Sequence, residues 1–194
     1  MEQENERFQI EMTPQKELMR EGYRIMIWHS WRAVVYSILA ALCMWQTGRY
    51  FNLAFYWNGQ GWDEAFGYYL PYALYFLALT AATLALFFFM PALSARRYMK
   101  RLASVFGDPA ALTVSYRFGE DALHSQDSSG QKIDTAYDQY VSVWETAHCI
   151  VLRRKMSVFH VLDKSKIRGG VLGDFKAFLQ EKMPQAKFHW KTDA

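Results

Sequence analysis

The chain has 194 residues, enough for one or two domains, and carries 22 Lys and Arg against 19 Asp and Glu for a formal net charge of +3. So small an excess, gathered near apolar stretches and not on a separate face, excludes a nucleic-acid-binding protein of the usual basic kind. The two cysteines, Cys43 and Cys149, fall in a predicted membrane segment and a predicted strand, so no disulfide framework is implied and a reducing compartment fits.

The opening MEQENERFQIEM is acidic and has no apolar core, so no cleavable signal peptide is expected. Within it Phe8, Ile10 and Met12 alternate with Gln9 and Glu11, the period of a half-exposed strand. That strand either pairs with a sheet elsewhere in the chain or belongs to a disordered leader. Thr13 stands as an N-cap with Pro14 at the first helical position, which predicts a helix over PQKELMREGYRIMIWHSWR. Trp28, His29, Trp31 and Arg32 have the make-up of an interfacial girdle.

Ala33 to Gly48 is free of charge and predicts a membrane span, short enough that Arg32 and Arg49 snorkel or the helix extends into Tyr50 to Phe55. A re-entrant or surface-lying segment is the alternative. The stretch from Arg49 to Tyr69, crowded with aromatic residues and broken by Asn58, Gly59, Gln60 and Gly61, predicts a hairpin loop at the membrane surface. Leu70 to Leu93 is the dense part of a stretch without any ionisable side chain. As a helix it would reach roughly 36 Å, against a hydrocarbon core of roughly 30 Å. Ser37 with Ala41, and Ala78 with Ala82 or Ala81 with Ala85, are small residues four apart that predict a close seam between the two spans. Lys16, Arg20, Arg24 and Arg32 precede the hairpin and Arg96, Arg97, Lys100 and Arg101 follow it, whereas its loop offers only Arg49, so both termini are expected in the cytoplasm.

The second helix should continue through SARRYMKRLASVF to the breakers Gly107, Asp108 and Pro109. Beyond it, Leu112–Phe118, Ala122–Gln126, Lys132–Tyr137, Val141–Thr146, His148–Leu152 and Ser157–Leu162 predict six short strands in hairpins. A helix from about Asp174 follows, with Phe175, Phe178, Leu179 and Met183 on one face and Pro184 as its stop. The expectation is an α+β membrane protein. Residues 1–32 form a cytoplasmic N-terminal segment and 33–93 a transmembrane hairpin whose aromatic periplasmic loop covers about 50–69. Residues 94–107 extend the helix into the cytoplasm, and 108–194 form a small antiparallel sheet or open barrel with a C-terminal helix.

Three places carry a resemblance: Phe118-Gly-Glu-Asp-Ala-Leu123, Tyr137 to Glu145 (YDQYVSVWE), and Val161-Leu-Asp-Lys164. They resemble the YcxB-like family of bacterial membrane proteins, whose pattern is two spans followed by a pleckstrin-homology-like domain. The family usually has Trp where Tyr137 stands and Pro where Asp163 stands. The resemblance implies a fold and an inner-membrane location, brings no established catalytic activity, and leaves the six predicted strands one short of the seven of a pleckstrin-homology domain.

Chemistry is sparsely signalled. No Gly-rich phosphate loop, nucleophile elbow or paired-carboxylate motif occurs in the polar part, and no cofactor or metal is expected. With a turn at Arg154-Lys155, Cys149 would face His160 across the ladder, a nucleophile pair or half a metal site in principle and a structural pair in the favoured reading. The basic tip Arg153, Arg154, Lys155 suggests contact with lipid or a partner, and Tyr56, Trp57 and Trp62 suggest a periplasmic contact. The expected function is a non-enzymatic, membrane-tethered binding module that holds a protein or lipid partner at the cytoplasmic face of the bacterial inner membrane. The alternative is an immunity-type protein that neutralises a toxin through its periplasmic loop.

Overall fold

The computed structural model describes residues 7–108, 111–155 and 158–191. The chain divides into two compact units, Ile27–Met90 and the stretches on either side of it, Met1–Met26 with Pro91–Ala194.

Among the described residues, the flanking unit holds nine strands. Five form one sheet in the order β4-β3-β2-β1-β8, from β1 (Phe8–Met12), β2 (Val114–Phe118), β3 (Ala122–Asp127), β4 (Lys132–Ala136) and β8 (Ile167–Arg168). The other four form a second sheet in the order β7-β6-β5-β9, from β5 (Tyr140–Glu145), β6 (Cys149–Arg154), β7 (Phe159–Asp163) and β9 (Lys187–His189), with β9 parallel to β5. The single curved sheet expected from the sequence is therefore two sheets, because a 3-10 turn at Tyr137–Gln139 breaks the chain between β4 and β5. The strand predicted at Phe8–Met12 is present and paired: Phe8 lies opposite Phe118 and Met12 opposite Val114, while Gln9 and Ile10 pair with β8 on the other side.

Alternation decides what each strand buries. Ile150 and Leu152 of β6 join Phe8, Ile10, Phe118, Leu123 and Tyr140 in a core closed by Phe175, Phe178, Leu179 and Met183, the last at the end of helix α4 (Leu172–Lys182). Cys149 and Val151, on the opposite face of β6, join Met12, Leu18, Met19, Ala95 and Val161 in a second core. A strand covered on both faces must read as an uninterrupted apolar run, and Cys-Ile-Val-Leu does. Helix α1 (Lys16–Trp28) supplies the cover on that second face, two residues later than the cap at Thr13 and Pro14 predicted. It packs so closely that a Cβ on Gly22 would lie 2.6 Å from Val161.

The other unit holds helix α2 (Trp31–Gly59) and the first part of helix α3 (Ala65–Phe106). Tyr50 stacks on Tyr72 and Phe76, Phe55 meets Phe66, and Tyr36 meets Phe87, so the two helices run antiparallel. The aromatic loop expected over about 50–69 is mostly helix, and only 60–64 turn, with Gly61 at φ 86° supplying the left-handed step. The predicted seam is also corrected. Ser37, Ala41, Ala78, Ala81, Ala82 and Ala85 are exposed, and the buried positions in this unit are Ala33, Ala40, Cys43, Thr47 and Ala54 on α2 with Ala65, Ala73, Thr80 and Thr83 on α3. Ala33, Ala40, Thr47 and Ala54 recur at sevens along α2, the repeat of two helices wound on each other at about 3.5 residues per turn, and Cys43 fills the position between Ala40 and Thr47. Buried hydroxyls in this seam donate to their own helix, Thr47 to Cys43 O and Thr80 to Phe76 O. Large apolar side chains point outward, Val34, Ile38, Leu42, Trp45, Leu74, Leu77 and Phe88 among them.

Helix α3 is long and apolar enough to cross a membrane. The separate span expected over Ala33–Gly48 does not pass that test as α2 alone; α1 and α2 pass it only jointly, with a break at His29–Ser30. Helix α3 ends before Gly107 (φ 76°), as expected. The breaker Pro109, and Met156 and Ser157 in the β6–β7 connection, lie outside the described residues.

Candidate functional site

The basic tip is less free than its sequence suggests. Arg153 and Arg154 close β6 and are half-buried; Arg154 Nη2 donates to Gln139 Oε1 at 2.5 Å, and the buried Arg153 Nε makes no hydrogen bond among the described residues. Lys155 is exposed. In the other unit, Trp62 comes within 6.5 Å of Trp57, 5.9 Å of Tyr68 and 5.7 Å of Tyr69, and Tyr56 lies against Trp57, so these rings form one cluster at the turn between α2 and α3.

The Cys149–His160 pairing does not form. Cys149 lies opposite Asp163 and His160 opposite Leu152, because the β6–β7 connection is longer than a tight turn at Arg154-Lys155 and shifts the register. Burial pushes the His160 imidazole down to about 4, helped by the nearby Arg154 charge, so the ring is neutral and sits edge-on to Tyr116 at 5.6 Å. Burial likewise pushes the Cys149 thiol up to about 12, which keeps it a thiol and not a nucleophilic thiolate near neutral pH. Among the described residues, no group of three or more His, Cys, Asp and Glu is placed to hold a metal ion.

Around Cys149 the structure assembles a cluster that no local pattern announces. Glu21 of α1 reaches the β5–β6 turn, where Thr146 Oγ1 donates to Glu21 Oε2 and His148 Nδ1 to Glu21 Oε1 at 2.6 Å. The same Thr146 hydroxyl accepts from Cys149 N–H at 3.0 Å, and the Cys149 thiol lies 3.6 Å from Glu21 Oε2. Burial raises the Glu21 carboxyl, but the hydrogen bonds from Thr146 and His148 outweigh it and hold the group below the usual carboxylate range. Glu21 and His148 are 127 residues apart, so only the fold could reveal this contact. Its chemistry is that of a clamp: an ionised carboxylate in one helix satisfies a hydroxyl, an imidazole and a backbone amide in a turn.

A second charged centre lies on β5. The Glu145 side chain is 5% exposed and accepts from Lys164 Nζ at 3.1 Å, Lys176 Nζ at 2.7 Å and the Lys191 amide at 3.1 Å. Burial raises its carboxyl and the two lysines more than reverse that. The centre joins β5, the turn after β7, α4 and the residues that follow β9. Cavities lie elsewhere in the flanking unit. One of about 200 Å³ is lined by Met19, Tyr23, Tyr98, Tyr116, Phe159 and Val161, and one of about 280 Å³ by Arg7, Gly119, Glu120, Phe178, Glu181 and Lys182. The first is lined by apolar and phenolic side chains, and the second brings Arg7 and Lys182 together with Glu120 and Glu181.

No family model matches this chain, and no curated protein matches it. Among solved structures, the Spt16D–Pob3N heterodimer aligns at 9% identity over 41% of this chain and 47% of that chain, with a TM-score of 0.28. That likeness is too slight to carry an argument about fold or function, and it spans about half the length of the matched chain.

Proposed function

We infer that this protein is a membrane-tethered binding module without enzymatic activity. In this reading α2 and α3 cross the bacterial inner membrane as a hairpin, both termini lie in the cytoplasm, and the two-sheet domain holds a lipid or protein partner at the cytoplasmic face. The observation that carries it is the ladder between β1 and β2, strands that lie on opposite sides of the hairpin in the sequence. The hairpin is thus an insertion within the domain in the sequence, and a domain assembled from both flanks of one membrane hairpin is tethered to the bilayer through two chain connections. The outward-facing apolar side chains of α2 and α3 support immersion in lipid, since a water-soluble pair would bury them.

With β1 added, strands β1 to β7 make seven, and α4 closes them, which supports the pleckstrin-homology-like reading and with it the YcxB-like resemblance. A second reading, an immunity-type protein, draws on the ring cluster of Tyr56, Trp57 and Trp62, where a periplasmic partner would dock. Interfacial anchoring accounts for the same rings. Membranes carrying the full chain with a photo-crosslinking residue at Lys155 or at Trp62 separate the two. The module reading expects the chain to resist alkaline extraction and to form adducts from position 155. Adducts from position 62 alone would favour the second reading, and extraction into the soluble fraction would overturn both.

A further inference from the structure

Two helix faces in the flanking unit are strongly and one-sidedly charged. Leu18, Met19, Gly22 and Met26 turn α1 inward, and Ala95, Tyr98 and Met99 do the same for α3. Lys16, Arg20 and Arg24 on the first helix, and Arg96, Arg97, Lys100 and Arg101 on the second, are left exposed. The helices are neighbours here, with the Tyr23 and Tyr98 rings 6.3 Å apart. Residues 16–26 and 94–107 together hold seven Lys and Arg and two acids, Glu17 and Glu21, and Glu21 is turned into the clamp with Thr146 and His148. Subtracting them from the chain's 22 basic and 19 acidic residues leaves 15 and 17. The whole positive excess of the protein is therefore concentrated on these two faces.

We propose that this basic collar binds the phosphates of anionic phospholipids. The proposal rests on the reading that the hairpin is embedded in the bilayer, and it names the lipid chemistry that the module engages. Helix α3 continues unbroken through Leu93, so Arg96 and Arg97 follow the apolar stretch by roughly 5 Å at about 1.5 Å per residue, at the depth of the headgroups. Arginine suits such a site, since its planar fork binds phosphate oxygens in pairs. The tip at Arg153 and Arg154 is the poorer candidate, with one guanidinium committed to Gln139 and both side chains half-buried.

The test uses the full chain in neutral detergent micelles, titrated with phosphatidylglycerol or phosphatidylcholine while its thermal midpoint is followed. The collar predicts that only phosphatidylglycerol raises the midpoint and that the effect fades as salt rises from about 0.05 M to about 0.5 M. The R96Q/R97Q/K100Q/R101Q variant should need at least about tenfold more phosphatidylglycerol. R153Q/R154Q/K155Q should match the wild type, and the charge-keeping R96K/R97K/R101K should respond between the wild type and the glutamine variant. Equal action of phosphatidylcholine, a wild-type response from the glutamine variant, or reproduction of the effect by inorganic phosphate would overturn the proposal. Failure of the embedded reading is separately visible, because such a chain would leave membranes on alkaline extraction, whereas a resistant chain indifferent to phosphatidylglycerol would sink only the collar.

Discussion

Phe8 lies opposite Phe118 in the β1–β2 ladder, and both rings pack edge-on against Phe175 of α4, at 5.2 and 4.9 Å between centroids. The first strand of the chain, the first strand after the helical hairpin and the last helix thus meet at one point in the core. Losing Phe8 should therefore damage the domain at a distance from its own sequence neighbours. Phe8→Ala should lower stability by about 3–4 kcal/mol, the usual cost of emptying a buried aromatic site. Thermal unfolding of the full chain in detergent, followed through the sheet signal, checks it, and the Gln9 to Met12 amides should exchange slowly in the wild type.

Phe178→Asp should be more severe. Phe178 is 2% exposed and packs against Phe8, Phe118 and Tyr137 with the Arg7 guanidinium 5.7 Å from its ring, so Asp there empties an aromatic site and buries a carboxylate that Arg7 offsets only in part. The variant is expected to lose its cooperative transition. Retention of that transition would show that α4 does not close the core.

Glu21→Gln should cost about 1–2 kcal/mol near neutral pH by weakening the hydrogen bonds from Thr146 and His148. The sign of the pH dependence follows from the lowered carboxyl. A folded-state value below the unfolded one adds stability that is present above the ordinary carboxylate range and is lost as pH falls through the lowered folded value. The gap between wild type and variant in denaturant midpoint should therefore narrow on acidification below about pH 4. A gap that is constant down to pH 2 would mean that Glu21 acts by shape alone.

Gly169→Ala should destabilise the edge where β8 meets β1. Gly169 has φ 102°, a conformation that disfavours any side chain, and a Cβ there would collide with the Arg7 carbonyl oxygen. A loss of about 1–3 kcal/mol is expected. Faster exchange of the Ile10 amide in the variant would locate the damage.

Much of this fold is written locally. Helix α3, its stop at Gly107, the hairpins from β2 to β7 and the apolar face of α4 each follow from composition or period within a few residues. The short strands β8 and β9, of two and three residues, have no room for a period and exist only because β1 and β5 offer them edges. The end of α2 was hidden because Tyr50 to Gly59 mixes aromatic and turn residues, and ring packing against Tyr69, Tyr72 and Phe66 keeps it helical. Of the site, the basic run at 153–155 was visible as charge but not its bond to Gln139, and Glu21 gave no sign, since its partners lie in a distant turn.

The central claim is that the hairpin crosses the membrane twice and leaves both halves of the sheet on the cytoplasmic side. Single cysteines at Gln60 in the α2–α3 turn and at Ser128 in the β3–β4 turn, in a chain with Cys43 and Cys149 replaced by Ala, test it with a membrane-impermeant maleimide on intact spheroplasts. The account predicts that Gln60→Cys is labelled at once and Ser128→Cys only after lysis; labelling of Ser128→Cys in intact spheroplasts, or protection of Gln60→Cys until lysis, would contradict it.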